Sequence, residues 1–120
     1  MSYKVKDYLS KDIVIIDVNA SVSEAAKRMM EKDRGSLIVA KEGQPAGIVT
    51  ERDLTRKVIA TERNPIKVKV SEIMSTLLIT INPDSSVEET SQIMAKYGVR
   101  RLPVIRDNIL YGMFTARILA

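Results

Sequence analysis

Hydrophobic and polar residues follow one order in the first half of the chain. Residues 13–16 form a β-branched run between two aspartates, which is typical of a buried strand. After Ser21, apolar residues recur every three or four positions, as on one face of an amphipathic helix. Ser21 and Glu24 have the spacing of a capping box, which predicts the helix start. The residues predicted to face inward are Val22, Ala25, Ala26, Met29 and Met30.

Two further apolar runs, residues 37–40 and 46–49, flank a polar stretch that contains Gly43. Because glycine tolerates the positive φ of a tight turn, we expect these runs to be antiparallel strands of a hairpin. A second helix is predicted over residues 51–61, with Leu54, Val58 and Ile59 facing inward and Arg52, Arg56 and Lys57 facing outward. The predicted element order is therefore β-α-β-β-α.

The same order recurs in the second half, because residues 5–54 moved forward by 65 positions lie on residues 70–119 without a gap. Two copies are too few for an open solenoid, so we expect them to pack on each other about a pseudo-twofold axis. The fold class is α/β (α+β), with repeat 1 at 1–62, a linker at 63–69 and repeat 2 at 70–120. Matched pairs include Ser21 and Ser86, Glu24 and Glu89, Gly47 and Gly112, and Thr50 and Thr115. The second copy is predicted to have a strand near residues 78–81, a helix that ends at Tyr97 and a final helix over residues 115–120. Gly98 and its counterpart Asp33 are placed at helix ends, because both residue types tolerate left-handed backbone.

The amino-acid composition excludes several classes of enzyme and metal site. The 120 residues are 45% hydrophobic and 28% charged, which suits one compact module. The chain has no Cys and no His, which excludes disulfides, thiol enzymes, Ser-His-Asp hydrolases and the usual zinc sites. We expect no enzyme activity, because no acid–base pair or nucleophile is evident. No signal peptide or membrane span is predicted, so we expect a cytoplasmic protein with no membrane partner.

One motif follows the predicted third strand, where residues 47–53 read Gly-Ile-Val-Thr-Glu-Arg-Asp. Thr50 and Asp53, three positions apart, share a face of the first helical turn. A carboxylate there can accept both hydroxyls of a ribose, and a helix start favours a nearby phosphate. The same two residues also have the spacing of an ordinary capping box. Both interpretations are open at this point.

Residues 47–53 resemble the motif of the cystathionine-β-synthase-type (CBS) domain: glycine, two hydrophobic residues, Thr or Ser, two variable residues, then Asp or Asn. Residues 98–104 (Gly-Val-Arg-Arg-Leu-Pro-Val) resemble the lead into that family's second strand. With the duplication, the resemblance covers nearly the whole chain as a tandem CBS pair, or Bateman module. It implies a non-catalytic regulatory module that binds AMP, ADP or ATP in the cleft between the repeats, with no other cofactor and no metal.

The resemblance also implies the site residues. In relatives the base lies against the first strand and the start of the second strand of the other repeat, with arginines near the phosphates. The implied nucleotide-binding set is Gly47, Ile48, Thr50, Arg52, Asp53, Leu78, Ile79, Val99, Arg100 and Arg101. For the arginines the alternative is an exposed surface charge. The implied weaker cleft is lined by Ile13, Val14, Arg34, Gly35, Ser36, Thr115 and Arg117.

The two copies differ at the carboxylate, because the counterpart of Asp53 is Ile118. A ribose there would lose its acceptor, so we predict that the copy with Asp53 provides the better nucleotide site.

Other functions stay open. A structural module would use Asp53 only as a helix cap and form a homodimer, since the short final helix leaves apolar surface for a second chain. Nucleic-acid binding, suggested by a pI near 9.4, is disfavoured because the net charge of +4 is evenly spread and aromatic residues are few. In the nucleotide hypothesis we expect a homodimer whose signal passes to a separate effector protein.

Overall fold

The computed structural model describes residues 3–11, 13–76 and 79–116. Its helices and strands are β1 (Ile15–Asp17), α1 (Val22–Lys32), β2 (Ser36–Lys41), β3 (Gln44–Thr50), α2 (Glu51–Leu54), β4 (Ser75–Thr76), α3 (Val87–Tyr97), β5 (Arg101–Arg106) and β6 (Ile109–Thr115). These elements form two compact units. Of the described residues, 14–76 belong to the four-stranded unit, while 3–11, 13 and 79–116 belong to the two-stranded unit.

The four-stranded unit has the strand order β1-β2-β3-β4. β1 runs parallel to β2, while β2 with β3 and β3 with β4 are antiparallel. The predicted hairpin is confirmed, and Gly43 turns it with a φ of 80°. β1 covers residues 15–17 rather than 13–16, and only Ile16 is buried, because an edge strand has one face on the core. The core side chains include Ile16, Val22, Leu37, Val39, Val49, Val58 and Val70.

The helix α1 begins where the sequence predicts. The Ser21 Oγ accepts a hydrogen bond of 3.1 Å from the backbone N–H of Glu24, and the helix ends at Asp33 in the left-handed region. The predicted inward face is wrong at two positions: Ala26 is exposed, and Met30 is 76% exposed. The buried stripe is narrower than expected because one sheet face covers only Val22, Ala25 and Met29.

The second predicted helix is divided. α2 covers four residues and continues as a π-helical turn, Thr55–Ile59, with a hydrogen bond of 2.8 Å from Ala60 N to Thr55 O. Leu54 packs against the core and Val58 is buried, but Ile59 is 62% exposed, so its inward prediction is wrong. Because a π-helical turn follows α2, the three- and four-residue spacing of an α-helix does not continue through it, and this spacing misplaces Ile59.

The two-stranded unit contains the β5–β6 hairpin and α3. α3 begins with the Ser86 Oγ accepting from Glu89 N at 3.0 Å and ends at Gly98 with a φ of 65°, as predicted. The strand predicted over residues 78–81 is reduced to one parallel bridge between Ile81 and Val104, and Leu78 lies outside the described residues. Residues 117–120, which make up most of the final helix predicted over residues 115–120, also lie outside them.

Each copy contributes its leading segment to the unit built mainly from the other copy. Val5, in a 3-10 turn, is fully buried in the core of the two-stranded unit. Its counterpart Val70, also in a 3-10 turn, is fully buried in the core of the four-stranded unit. The compact units therefore divide the chain differently from the sequence repeats. The repeat boundaries at 1–62, 63–69 and 70–120 remain a prediction.

An ion-pair cluster fixes the leading segment of the two-stranded unit. Asp84 is paired with Arg106 and with Lys6, whose Nζ lies 3.2 Å from Asp84 Oδ1. Hydrogen bonds from Arg106, then from Lys6, hold the pKa of Asp84 below its usual range. A carboxyl group with a lower pKa in the folded protein stabilises it above the unfolded pKa, and this stabilisation is lost as pH falls through the folded pKa.

We therefore expect the free energy of unfolding to fall more steeply in the wild type than in Asp84→Asn between about pH 6 and about pH 3. Urea unfolding of both proteins at the two pH values measures the difference. Asp84→Asn is the reference for the wild type, because its residue 84 cannot titrate. Equal losses in both proteins would show that this cluster contributes nothing to the pH dependence.

Candidate functional site

Thr50 and Asp53 form a complete capping box at the junction of β3 and α2. Thr50 donates from its backbone N to Asp53 Oδ2 at 2.9 Å and from its Oγ1 to the same oxygen at 3.1 Å. In return, Asp53 N donates to Thr50 Oγ1 at 3.1 Å. The capping interpretation of the motif is thus observed, and it fixes the orientation of the carboxylate.

The second carboxylate oxygen of Asp53 faces Lys57, a residue predicted only to face outward from the helix. Lys57 Nζ lies 3.1 Å from Asp53 Oδ1 and donates a hydrogen bond of 2.9 Å to the backbone oxygen of Ile73. The Asp53 side chain is 14% exposed and that of Lys57 is 47% exposed. The spacing of four residues between an acid and a base on one helix was the available signal for this pair.

The glycine of the motif has a packing role. A Cβ atom on Gly47 would lie 2.6 Å from the backbone oxygen of Ser75 and 2.8 Å from Met74 Sδ. In the register of β3 with β4, Gly47 lies opposite Thr76 and Ile48 opposite Ser75. The same relation recurs in the other unit, where a Cβ on Gly112 would lie 2.8 Å from the backbone oxygen of Ser10. Both glycines therefore allow a close approach between two backbones.

Arg52, the remaining member of the predicted set in this unit, is exposed. Among the remaining members, Leu78 lies outside the described residues, and the others lie in the two-stranded unit. Ile79 and Val99 are partly buried and pack against its core, whereas Arg100 and Arg101 are exposed. The backbone oxygen of Arg100 accepts a hydrogen bond of 2.7 Å from Ala116 N.

The residues predicted to line the weaker cleft are also divided between the units. Ser36 lies directly opposite Thr50 in the β2–β3 register, and the backbone oxygen of Gly35 accepts from Glu51 N at 3.0 Å. The structure thus places both residues beside the Thr50–Asp53 motif. In the same unit, Val14 packs against the core and Arg34 donates to the backbone oxygens of Lys32 and Asp33.

Ile13 and Thr115 belong to the two-stranded unit, where Thr115 is the last residue of β6 and lies opposite Arg101. Arg117 and Ile118 lie outside the described residues. The contrast between Asp53 and Ile118 is therefore a statement about the sequence alone.

A groove of about 430 Å³ lies beside the motif in the four-stranded unit. It is lined by Ala26, Met29, Met30, Asp33, Arg34, Gly35, Glu51, Leu54 and Thr55. Thr50 and Asp53 are not among these residues. The groove combines apolar side chains of α1 with three charged residues, namely Asp33 and Arg34 after that helix and Glu51 at the start of α2.

Within residues 3–11, 13–76 and 79–116, no group of three or more Asp, Glu, His or Cys side chains is arranged to hold a metal ion. No helix in the same ranges is long and apolar enough to cross a membrane.

Comparison with known proteins identifies the family. The model of the CBS domain matches residues 5–60 and again residues 70–120. The chain therefore belongs to the CBS-domain family and carries two CBS domains in tandem, which confirms the predicted class and the α+β fold.

Two curated relatives are similar to most of this chain. The CBS domain-containing protein YhcV of Bacillus subtilis is 36% identical over 91% of this chain and 77% of its own length. The mitochondrial CBS domain-containing protein CBSX3 of Arabidopsis thaliana is 39% identical over 78% of this chain and 48% of its own length.

Among solved structures, an uncharacterized conserved protein from Pyrococcus horikoshii has a TM-score of 0.87 and 31% identity, covering 99% of this chain and 90% of that one. A hexameric CBS-CP12 protein from bloom-forming cyanobacteria has a TM-score of 0.84 and 34% identity, covering 98% of this chain and 66% of that one.

Proposed function

We propose that this CBS pair is a non-catalytic regulatory module that binds AMP, ADP or ATP, with Asp53 accepting hydrogen bonds from the ribose hydroxyls. The observation that carries the proposal is the orientation of one carboxylate. Asp53 Oδ2 is held by the backbone and hydroxyl of Thr50, while Oδ1 is paired with the half-exposed Lys57. The carboxylate is therefore fixed in position, and one of its oxygens can exchange a lysine for a ligand.

The energetics favour that exchange. An ion pair with a half-exposed lysine contributes about 1 kcal/mol or less, because water screens it. Hydrogen bonds from neutral hydroxyls to a carboxylate contribute about 1.5–3 kcal/mol each. Two ribose hydroxyls on Asp53 would thus more than replace the contribution of Lys57.

The second copy supports a single site of this kind in each chain. Its Thr115 matches Thr50, but Ile118 stands where Asp53 stands in the first copy. An isoleucine offers no acceptor, so ribose hydroxyls placed beside it would remain unpaired. We therefore assign the nucleotide to the copy that carries Asp53.

Thermal and urea unfolding with AMP, ADP and ATP test the proposal. A nucleotide at 100 times its dissociation constant should add about 2.7 kcal/mol to the free energy of unfolding, because it binds only the folded protein. GMP and inorganic phosphate serve as controls for the base and for the charge. Absence of stabilisation by all three adenosine nucleotides would overturn the proposal.

Self-association is a second candidate function, favoured by exposed apolar side chains. Met30 and Ile59 are 76% and 62% exposed in the four-stranded unit. The similar CBS-CP12 protein is hexameric. The unfolding experiment separates the two candidates: stability that rises with protein concentration but not with nucleotide would favour assembly alone.

A further inference from the structure

The ammonium group of Lys57 connects two parts of the four-stranded unit. It lies 3.1 Å from Asp53 Oδ1 on α2 and donates at 2.9 Å to the backbone oxygen of Ile73. Ile73 lies between the 3-10 turn that begins at Val70 and the strand β4. We infer that Lys57 couples occupancy of the Asp53 site to residues 70–76: a bound nucleotide displaces it from Asp53 and thereby releases that segment. This inference rests on the proposed function.

The first step is displacement of the lysine from the carboxylate. Asp53 Oδ2 already accepts two hydrogen bonds from Thr50. Each carboxylate oxygen has about two acceptor positions, so a pair of ribose hydroxyls requires both positions of Oδ1. Lys57 occupies one of them, which makes the ammonium and the diol competitors.

The lysine can leave at small cost. Its side chain is 47% exposed, so the ammonium can be hydrated after it moves. A flexible four-carbon stem allows that movement without a change in the helix. Removal of the competing ammonium should therefore strengthen the binding of a neutral diol.

The second step is release of residues 70–76. Lys57 supplies a hydrogen bond to Ile73, whose side chain is 2% exposed in the core. The following residues form β4, which packs on the backbone of Gly47. When Lys57 is drawn away from Asp53, it no longer holds the Ile73 carbonyl in the same position. The backbone hydrogen bonds of this segment should then open more often.

Hydrogen–deuterium exchange of peptides spanning residues 70–76 tests the inference in the full chain. In the wild type, saturating AMP should speed exchange about threefold to tenfold, the effect of losing one hydrogen bond. In Lys57→Met, exchange should be fast already without AMP, and AMP should not raise it further. Adenosine, which carries no phosphate charge, should bind Lys57→Met about twofold to fivefold more tightly than the wild type. Lys27→Met, on the exposed face of α1, is the matched control for the loss of one positive charge.

The outcomes separate this inference from the proposed function. If AMP binds the wild type but leaves exchange at residues 70–76 unchanged, or raises it equally in Lys57→Met, the coupling is wrong and nucleotide binding stands. Adenosine affinity that is unchanged or weaker in Lys57→Met would also overturn the competition. If neither protein binds AMP, the proposed function fails and the coupling fails with it.

Discussion

Replacing Gly47 with alanine is expected to lower the free energy of unfolding by about 3 kcal/mol, near the upper end of the usual cost of overpacking. The added Cβ would lie 2.6 Å from the backbone oxygen of Ser75, and a backbone atom cannot move aside as a side-chain end can. Urea unfolding measures the loss. Gly112→Ala should have a similar cost, because its Cβ would lie 2.8 Å from the backbone oxygen of Ser10.

Gly35→Ala is the matched control in the same unit as Gly47. Its Cβ would lie nearest to Glu51 Oε1, at 3.3 Å, which is the end of a flexible side chain, so we expect a loss below about 1 kcal/mol. If Gly47→Ala costs no more than Gly35→Ala, the close approach of β3 and β4 is not what requires the glycine.

The features that the sequence predicted correctly are local ones. The starts of α1 and α3 follow from Ser21 and Ser86, each of which accepts a hydrogen bond from a backbone N–H three residues ahead. Their ends follow from Asp33 and Gly98, which adopt the left-handed conformation. Such signals depend on a few neighbouring residues, so the pattern of one chain is enough to find them.

Long-range packing was not predictable in the same way. Periodicity placed Met30 and Ile59 inside, but which apolar positions are covered depends on the element that packs against them. The exchange of leading segments, with Val5 in one core and Val70 in the other, joins residues far apart in the chain. No local pattern predicts that contact. The matched glycines at positions 47 and 112 were the available signal, since each lies close to the backbone of a leading segment.

The candidate site was predicted in part. The Thr50–Asp53 pair was found from its spacing, and both its capping geometry and its burial are observed. Lys57 was missed as a partner, because its position on the helix surface favoured a solvent-facing role. A capping box does not reveal a ligand, so the nucleotide remains a proposal that rests on family membership and on an Asp53 oxygen whose only described partner is the half-exposed Lys57.

Replacing Asp53 with asparagine is expected to weaken AMP binding about tenfold to hundredfold. The asparagine oxygen can still accept from Thr50, so the helix start is retained. The negative charge is lost, and the hydroxyl hydrogen bonds lose the additional strength of a charged acceptor, about 1.4–2.8 kcal/mol in total.

Ser21→Ala is the control that separates binding from helix capping. It removes the cap of α1, where Ser21 accepts from Glu24 N at 3.1 Å. We expect it to lower the free energy of unfolding by about 1 kcal/mol and to leave the dissociation constant of AMP unchanged.

Calorimetric titration of AMP into the wild type and Asp53→Asn tests the central claim most directly. The proposal predicts saturable binding of one AMP per chain in the wild type and binding at least tenfold weaker in the variant, since a single copy carries the carboxylate. An absence of binding to the wild type, or equal affinity in the two folded proteins, would contradict the assignment of Asp53 as the nucleotide-binding carboxylate.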